Sequence, residues 1–325
     1  MIFNKLRDIS VDSEGRIYAL DEKENSIYVF NKQGKILKTI GRAGVGPGEL
    51  SRPVSIYIKS AYIYVLDDEN RRVTIFNTSG NYEKSFNILD YPGGSNKNII
   101  VDEEGSLYIS GYYAKWNSLL AKYSAKGKFE KCFSVPIIEY QGLEFDRIQR
   151  ETVNKWLCGG SMCFNKSGNI IYSYSWPHAI TVLNRAGDET SRLTNNSDLN
   201  WNPFVFRDDP QGLTIGDTTI TQKVFSIKNN IIVNSISVVD WEGNNNKRVN
   251  PLDLVKNPTK YFRIKRRFSL LEIFTTEGEI IDRIEMQGRT RILASDGIDQ
   301  IFGIKYDDED IASIVRYKVD SIKFP

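Results

Sequence analysis

The sequence predicts an all-β protein, a six-bladed β-propeller whose blades are four-stranded antiparallel sheets. Three observations carry this prediction: an internal repeat of 46 residues, short strands rich in β-branched and aromatic residues, and tight turns that recur along the whole 325-residue chain. A repeat of about 40–50 residues is typical of one propeller blade.

The repeat is clearest in the first ninety or so positions of the chain. Three pairs of identical residues are each separated by 46 positions: Asp21 and Asp67, Phe30 and Phe76, Gly34 and Gly80. On either side of Asp21, the stretches Ile17–Leu20 and Ser26–Phe30 are short, apolar and bounded by turn residues. That pattern indicates β-strands rather than helices.

The first tight turn of each repeat counts the blades. These turns fall near Gly15, Ala61, Gly105, Gly168, Asn230 and Asp299. The spacings are 46, 44, 63, 62 and 69 residues, so the later units carry insertions. We expect one domain with blades over residues 8–53, 54–97, 98–160, 161–222, 223–291 and 292–325. The last blade also takes residues 1–7, with Ile2–Leu6 as the strand that closes the ring and removes an exposed edge.

The glycine-rich segment Gly41–Pro53 and the strands that follow it resemble the NHL repeat. The matching positions are Gly44, Gly46, Gly48, Glu49, Leu50, Pro53, Asp67, Asn70, Arg72, Val73, Phe76 and Gly80. The Gly-Pro-Gly-Glu form is similar to six-bladed propellers of bacterial cell-envelope proteins. The resemblance implies the fold, and a cell-envelope or periplasmic location if an export signal precedes the chain. It implies no particular activity, because propellers host many unrelated ones.

Composition narrows the classes of partner. The chain has 43 basic and 41 acidic residues and a net charge of +2, so nucleic acid and acidic membrane surfaces have no general electrostatic support. No apolar run reaches the roughly 18 residues of a membrane span. Met1–Arg7 shows no signal-peptide core, so we expect a soluble protein that is not exported as written. We also expect a monomer.

The three cysteines are Cys132, Cys158 and Cys163. An odd and small number of cysteines does not form a disulfide framework. Cys158 and Cys163 can pair, or all three can be buried thiols, and the spacing is not one used for zinc.

The long segments fall on one predicted face of the propeller. In each blade the strands run from the axis outward, here named a to d, so a–b and c–d turns lie on one face. The b–c segments and the d–a links lie on the other. Pro136–Gly160 and Asn195–Gln222 are long d–a links, and Asp240–Thr259 is a long b–c segment. Long loops on a rigid scaffold are where binding concentrates.

All five tryptophans belong to that second face in this interpretation. The candidate ligand-binding residues are Trp116, Trp156, Trp176, His178, Trp201 and Trp241. Tryptophan offers a large contact surface with a polar handle. We therefore expect a protein that binds a carbohydrate, a peptide or a protein partner without catalysis. The alternative for each ring is that it anchors its loop on the scaffold.

A propeller hydrolase or lyase, acting on a carbohydrate or lactone, is the alternative function. His178 is its candidate catalytic residue, as a general base beside a carboxylate. We expect no cofactor for the binding protein. In the enzyme alternative, Ca²⁺ can bind the carboxylates where b strands end, as in gluconolactonase-type propellers. The candidates are Asp21, Asp67 and Asp307. An aspartate at such a position also stabilises the following turn, which is the competing interpretation.

Binding of single-stranded RNA is the weakest alternative. Arg263, Lys265 and Arg267 alternate along one predicted strand and share one side of it. Some NHL propellers bind RNA through a basic face with aromatic rings. Because the chain is nearly neutral, basic residues on a single strand are better explained as a solvent-exposed outer strand than as an RNA site.

Overall fold

Short apolar strands separated by tight turns build this molecule. The computed structural model describes residues 3–94, 96–133, 154, 159–174, 179–193, 204–206, 213–215, 218–227, 231–241, 248–249, 264–276 and 279–319. The predicted all-β, six-bladed propeller with four-stranded antiparallel blades is confirmed. Within the described part of the chain, no helix is long and apolar enough to cross a membrane.

The first three blades are regular four-stranded meanders. The first comprises β1 (Leu6–Val11), β2 (Ile17–Asp21), β3 (Ser26–Phe30) and β4 (Ile36–Ile40). A short parallel pair, β5 (Arg42–Ala43) and β6 (Glu49–Leu50), forms the link to the second blade. The second comprises β7 (Pro53–Lys59), β8 (Tyr62–Asp67), β9 (Arg72–Asn77) and β10 (Tyr82–Asn87). The third comprises β11 (Ile99–Val101), β12 (Leu107–Tyr113), β13 (Ser118–Tyr123) and β14 (Phe129–Phe133), with a 3₁₀ turn at Ala114–Trp116.

The last three blades carry the insertions. The fourth comprises β15 (Gly160–Phe164), β16 (Ile170–Tyr174), β17 (Ile180–Leu183) and β18 (Glu189–Leu193). The fifth comprises β21 (Thr218–Ser226), β22 (Ile232–Trp241), β24 (Ile264–Phe274) and β25 (Ile280–Met286). The sixth comprises β26 (Arg289–Ser295), β27 (Gln300–Tyr306) and β28 (Ala312–Lys318).

A small extra sheet joins two of the insertions. It consists of β19 (Phe204–Phe206), β20 (Leu213–Ile215) and β23 (Arg248–Val249). Leu213 pairs with Val249, which connects the d–a link before the fifth blade to the b–c segment within that blade. The two segments therefore meet on the same side of the ring.

Burial is highest in the middle strands of a blade and lowest in its outer strand. Every residue of β2 is buried, whereas β1 is only partly buried and β4 and β10 are largely exposed. A middle strand is covered on both faces by neighbouring blades, and an outer strand borders solvent. This difference explains why the middle strands have nearly continuous apolar runs.

The apolar core consists of layers between adjacent blades rather than one central mass. The described residues form one buried cluster at each of the six blade interfaces. The cluster between the first and second blades contains Leu20, Ile27 and Ile56, and the cluster between the third and fourth contains Tyr108 and Tyr172. Each blade is thus stabilised mainly by its two neighbours, as in other repeat proteins.

The first and last blades pack directly against each other. Phe3, Ile9 and Phe30 share a buried cluster with Leu293 and Phe302. The predicted outer strand from Ile2–Leu6 is not shown: residues 3–5 lie in no strand, and Leu6 pairs with Asp21 in the first blade. In the described residues, β28 pairs with β27 alone. Closure by an N-terminal strand stays a prediction.

Candidate functional site

The d–a links and b–c segments lie on one face of the ring, which we call the insertion face. It carries Arg52 and Gly288 in d–a links, and Asp68, Trp116 and Asp310 in b–c segments. The a–b turns lie on the other face, for example the turn closed by the hydrogen bond from the Gly15 N–H to the Asp12 carbonyl. The larger cavity described below is lined in part by Gly288 and Asp310 of the insertion face.

The larger cavity opens where the fifth, sixth and first blades meet, and we call it the rim cavity. It has a volume of about 570 Å³. Its walls are the N-terminal segment Phe3–Leu6, then Ser237 and Ser269 from the fifth blade, and Gly288, Arg289, Arg291, Tyr306, Asp310 and Ala312 from the sixth. Hydroxyls, basic side chains and two aromatic rings thus border one space.

The charged groups of the rim cavity have defined partners. Arg289 forms an ion pair with Asp310, and its guanidinium lies 5.4 Å from the centroid of the Tyr306 ring. The Lys5 ammonium lies 2.9 Å from a carboxylate oxygen of Glu22. An arginine held over an aromatic ring is pre-oriented, so it loses little freedom when it binds an acidic or hydroxylated ligand.

A second, smaller cavity of about 40 Å³ lies on the propeller axis, and we call it the axial cavity. Its lining comes from the inner strands of several blades, including Asp8, Asn98, Ser161, Lys223 and Arg291. Arg291 lines both cavities, so the rim cavity and the axial cavity adjoin.

One polar residue occupies the same level of each inner strand, and we call the six the polar belt. They are Asp8, Ser55, Asn98, Ser161, Lys223 and Arg291, and each directly precedes a buried apolar residue. The following residues are Ile9, Ile56, Ile99, Met162, Val224 and Ile292.

In four consecutive blades the belt residue accepts a backbone hydrogen bond from the next blade. Ile56 N–H donates to the Asp8 carboxylate at 3.0 Å, and Ile99 N–H donates to the Ser55 hydroxyl at 3.3 Å. Met162 N–H donates to the Asn98 side-chain oxygen at 3.2 Å. Val224 N–H donates to the Ser161 hydroxyl at 3.1 Å. The belt therefore connects the first five blades around the axis.

The fifth and sixth blades break this pattern because lysine and arginine have no acceptor to offer. Lys223 instead donates from its ammonium to both Asp8 oxygens at 2.9 Å, across the sixth blade's position in the ring. Asp8 and Lys223 are 5% and 15% exposed, so the pair is screened from water. A buried pair of this kind is costly to break from one side.

Above the axial cavity, Asp68 gathers three donors. It accepts from Arg52 at 2.5 Å, from the Tyr91 hydroxyl at 2.6 Å, and from the Lys97 ammonium. Burial lowers the pKa of Lys97 despite the attraction of Asp68, and burial beside Asp68 raises the pKa of Tyr91. The cluster ties the d–a links on both sides of the second blade to its b–c turn.

The predicted ligand-binding residue Trp116 packs on the scaffold. Its ring stacks on Phe129 with centroids 4.9 Å apart and meets Tyr113 edge-on at 6.5 Å. The Lys115 ammonium lies 4.8 Å from the Trp116 centroid. This geometry favours the loop-anchor interpretation for this ring, and its role in binding stays a prediction.

The other predicted aromatic and histidine positions give less geometry. Trp156, Trp176, His178 and Trp201 lie outside the described residues. Trp241 is the last residue of β22, with its backbone paired to Ile264. The ligand-binding roles of these residues and the catalytic role of His178 stay predictions.

The three candidate metal-binding aspartates make turn-stabilising hydrogen bonds. Asp21 accepts from the backbone N–H groups of Asn4, Lys5, Lys23 and Glu24 at 2.8–3.1 Å. Asp67 accepts from Ser51 N–H at 2.7 Å, from the Asn70 amide at 2.8 Å and from Arg72 at 2.9 Å. Asp307 accepts from the N–H groups of Glu309 and Ile311 at 3.0 and 2.8 Å.

These bonds occupy the acceptor capacity that a cation needs. Burial raises the pKa of Asp67 even though three donors oppose that shift. Asp21, Asp67 and Asp307 lie in separate blades, and the described residues contain no group of three or more histidine, cysteine or acidic side chains placed to hold one metal ion. Binding of Ca²⁺ stays a prediction. Cys132 and Cys163 are free thiols, and Cys158 lies outside the described residues.

Sequence reasoning missed the polar belt. Its signal is a polar residue directly before a buried apolar residue of each inner strand, visible only when all six strands are aligned. The six residues are of five different types, so no repeated motif marks them.

Comparison with solved structures supports the fold. A member of the DUF4221 family from Bacteroides vulgatus has a TM-score of 0.59 and 11% identity, covering 98% of this chain and 94% of its own. A streptogramin B lyase has a TM-score of 0.52 and 11% identity, covering 98% and 84%. A gluconolactonase from Xanthomonas campestris has a TM-score of 0.51 and 9% identity, covering 93% and 84%. Likeness at this identity shows the fold alone.

Sequence comparison gives the family. No curated protein matches the chain. A family model described as DUF5128, a 6-bladed β-propeller, matches residues 3–202, which is more than half of the sequence. The NHL identity of the repeats stays a prediction. The chain belongs to the DUF5128 family of six-bladed β-propellers.

Proposed function

We propose that this protein is a non-enzymatic binding protein that holds a small polar ligand in the rim cavity of the insertion face. The observation that carries this proposal is the cavity itself, about 570 Å³ between the fifth, sixth and first blades. Small-molecule sites in proteins commonly have volumes of about 300–1,000 Å³.

The lining supports a polar ligand of oligosaccharide or short-peptide size. Ser237, Ser269 and Asn4 offer hydroxyl and amide groups, while Tyr306 and Phe3 offer aromatic surface. Such a mixture of apolar body and few polar groups orients a ligand and excludes water around it.

The carboxylates support binding over acid–base chemistry at the b-strand ends. Asp21, Asp67 and Asp68 are buried and saturated with hydrogen bonds to backbone and side-chain donors. A group tied into the scaffold in this way is poorly suited to transfer protons to a ligand. A role for His178 beside a different carboxylate is the competing proposal, and turnover assays test it.

The test is calorimetric titration of the protein with a panel of oligosaccharides and short peptides, with and without EDTA. The matched variants are Arg289→Ala at the rim cavity and Arg42→Ala elsewhere on the insertion face. Both arginines are largely exposed, at 58% and 80%, and both pair with a carboxylate. We expect Arg289→Ala to weaken binding by about tenfold, the value of one charge-assisted contact, and Arg42→Ala to leave it unchanged.

Equal effects of both variants would contradict the proposed location. Binding that EDTA abolishes, or turnover of any panel member, would move the assignment to a metal-dependent or enzymatic site. Absence of binding across the panel would contradict the small-ligand proposal and favour a macromolecular partner on this face.

A further inference from the structure

We propose that the sixth blade binds an extended segment of a partner protein, which adds a strand to β28 and places an aromatic side chain on Gly34. The binding surface is a groove of about 400 Å³ between the sixth and first blades, and we call it the seam groove. It meets the rim cavity at Phe3 and Ala312 and reaches the c–d turn of the first blade. The proposal does not depend on the ligand proposed for the rim cavity.

The first argument comes from three other blade interfaces, where the outer strand of one blade covers a glycine in the c–d turn of the next. Glycines with positive φ angles occupy these turns: Gly80, Gly127 and Gly187. The side chains that cover them, in the same order, are Ile40, Phe86 and Phe133. The contacts are close, since a Cβ atom on Gly127 would lie 2.3 Å from the Phe86 ring. At Gly127 and Gly187, only glycine leaves room for the ring of the preceding blade.

A lysine accompanies each covering side chain, two residues before it in the outer strand. Its ammonium donates a hydrogen bond to a backbone carbonyl of the same c–d turn. The pairs of lysine and carbonyl are Lys38 with Thr78, Lys84 with Ala125, and Lys131 with Ala186. One apolar and one charged side chain thus join the outer strand to the next blade at three successive interfaces.

The equivalent glycine of the first blade has no such cover. Gly34 precedes Gly80 by 46 residues and also has a positive φ angle, of 83°. Among the described residues, no atom lies within 4 Å of the position that a Cβ on Gly34 would take. Gly34 lines the seam groove together with Phe30 and Ile314. The groove therefore presents the same turn surface that an outer-strand side chain covers in the second, third and fourth blades.

The edge of β28 supplies the backbone partner for an added strand. In the part of the chain that the structure describes, β28 pairs with β27 alone, and residues 3–5 lie in no strand. Ala312 and Ile314 line the groove together with Ser313, which alternates with them along the strand. Residues of both strand faces thus border the groove, so it follows the edge of β28. An added strand gains main-chain hydrogen bonds from such an edge, and its side chains fill the pockets beside it.

Lys32 and Arg316 decide which charge the segment carries. Arg316 donates to the Lys32 carbonyl at 2.9 Å. Lys32 precedes Thr78 by 46 residues, so the carbonyl that a lysine uses in the second blade is already taken here. Both cations line the groove, and neither forms an ion pair with another described residue. A lysine would be repelled at this point, whereas a carboxylate would be attracted. The segment therefore carries an acidic residue two positions before its aromatic one.

The first test is fluorescence anisotropy with a labelled synthetic peptide, in which valine and threonine alternate around a central Glu-Val-Phe. Two control peptides replace its glutamate with lysine or its phenylalanine with serine. We expect saturable binding of the first peptide to the full chain, and binding weaker by about tenfold or more for each control. Equal affinity for the three peptides, or no binding of the first, would overturn the proposal.

A matched pair of variants tests the location. Gly34→Asn places a side chain where the aromatic ring would lie, and asparagine tolerates a positive φ better than most residues do. Gly297→Asn is the control, because Gly297 has a positive φ of 74°, has no described atom within 4 Å of its Cβ position and does not line the groove. We expect Gly34→Asn to weaken peptide binding by about tenfold or more, and Gly297→Asn to keep the wild-type affinity. If the two folded variants bind equally well, the assignment to Gly34 is wrong.

Hydrogen exchange identifies the competing occupant, a segment of this chain itself. We expect the β28 amides that do not donate to β27 to exchange rapidly in the free protein. With the peptide at about ten times its dissociation constant, the same amides should exchange about tenfold more slowly. Protection of these amides in the free protein would mean that the chain covers its own edge, and this result would also refute the proposal.

Discussion

The first four blades and the last two use the same level of the inner strand in different ways. In the first four, Asp8, Ser55, Asn98 and Ser161 each accept a backbone N–H from the next blade. In the last two, Lys223 and Arg291 take this level, and both line the axial cavity. The same strand position thus connects neighbouring blades in the first four blades and carries a cationic side chain in the last two.

The comparison also explains why the rim cavity lies where it does. It opens beside the fifth and sixth blades, where the belt no longer offers an acceptor to the next blade. Closure between the last and first blades depends instead on side-chain packing around Phe3, Leu6 and Phe302. The propeller thus joins one part of its ring through backbone hydrogen bonds and leaves a cavity in another part.

The largest expected effect on stability comes from replacing Asp8, which accepts hydrogen bonds from both Ile56 N–H and the Lys223 ammonium. Asp8→Leu deprives Ile56 N–H of its partner and leaves the Lys223 ammonium without its carboxylate. We expect a loss of about 3–5 kcal/mol in the free energy of unfolding, as for other broken buried pairs, measured by urea denaturation. Asp8→Asn keeps the acceptor for Ile56 and should lose clearly less. Equal losses in the two variants would mean that the hydrogen bond to Ile56 is not made.

A smaller loss of stability is expected from removing one belt acceptor in the first four blades. Ser161→Ala removes the partner of Val224 N–H, and an unsatisfied buried donor costs about 1–3 kcal/mol. Ser313→Ala is the control, because its hydroxyl donates to the Lys305 carbonyl on an exposed strand. We expect that control to stay within about 0.5 kcal/mol of wild type in the same urea experiment. A Ser161→Ala protein as stable as the control would refute a cohesive role for the belt.

The smallest effect concerns the thiol next to the belt. Burial raises the pKa of Cys163 to about 12, whereas an unfolded thiol has a pKa of about 8.5. The folded chain therefore keeps a proton that the unfolded chain releases. The stability from this difference is fully present below about pH 8.5 and is lost as pH rises toward about 12.

Between about pH 7 and about pH 9.5, we expect this thiol to account for about 1 kcal/mol of the fall in unfolding free energy. Urea denaturation across that range should give a shallower fall for Cys163→Ala than for wild type. The partly buried Tyr57 and the buried Tyr123 remain in both proteins, so the difference between the two curves reports Cys163 together with its electrostatic effect on Tyr57. Identical pH dependence would show that Cys163 is not protected in the folded state.

The sequence predicts the part of the fold that repeats. Asp21 and Asp67 recur at 46 residues, and they accept equivalent backbone hydrogen bonds from Lys5 N–H and Ser51 N–H. The long insertions were assigned to one face, and the pairing of Leu213 with Val249 shows that two of them meet. Local patterns of strands and turns are visible in sequence because each needs only neighbouring residues.

The contacts between blades are harder to predict from sequence. Asn98 and Met162 are 64 residues apart, and nothing local to either residue indicates their hydrogen bond. The stack of Trp116 on Phe129 depends likewise on how the b–c segment of the third blade lies against its outer strand, β14. Such contacts become visible only when the register of every blade is known.

The measurement that tests the cohesive role of the belt most directly is native-state hydrogen exchange of the Val224 amide, which donates to the Ser161 hydroxyl. The account predicts that this amide exchanges about tenfold faster in Ser161→Ala than in wild type, because the loss of its acceptor costs about 1–3 kcal/mol. It predicts the wild-type exchange rate in the control variant Ser313→Ala. An equally protected Val224 amide in Ser161→Ala and wild type would contradict the account.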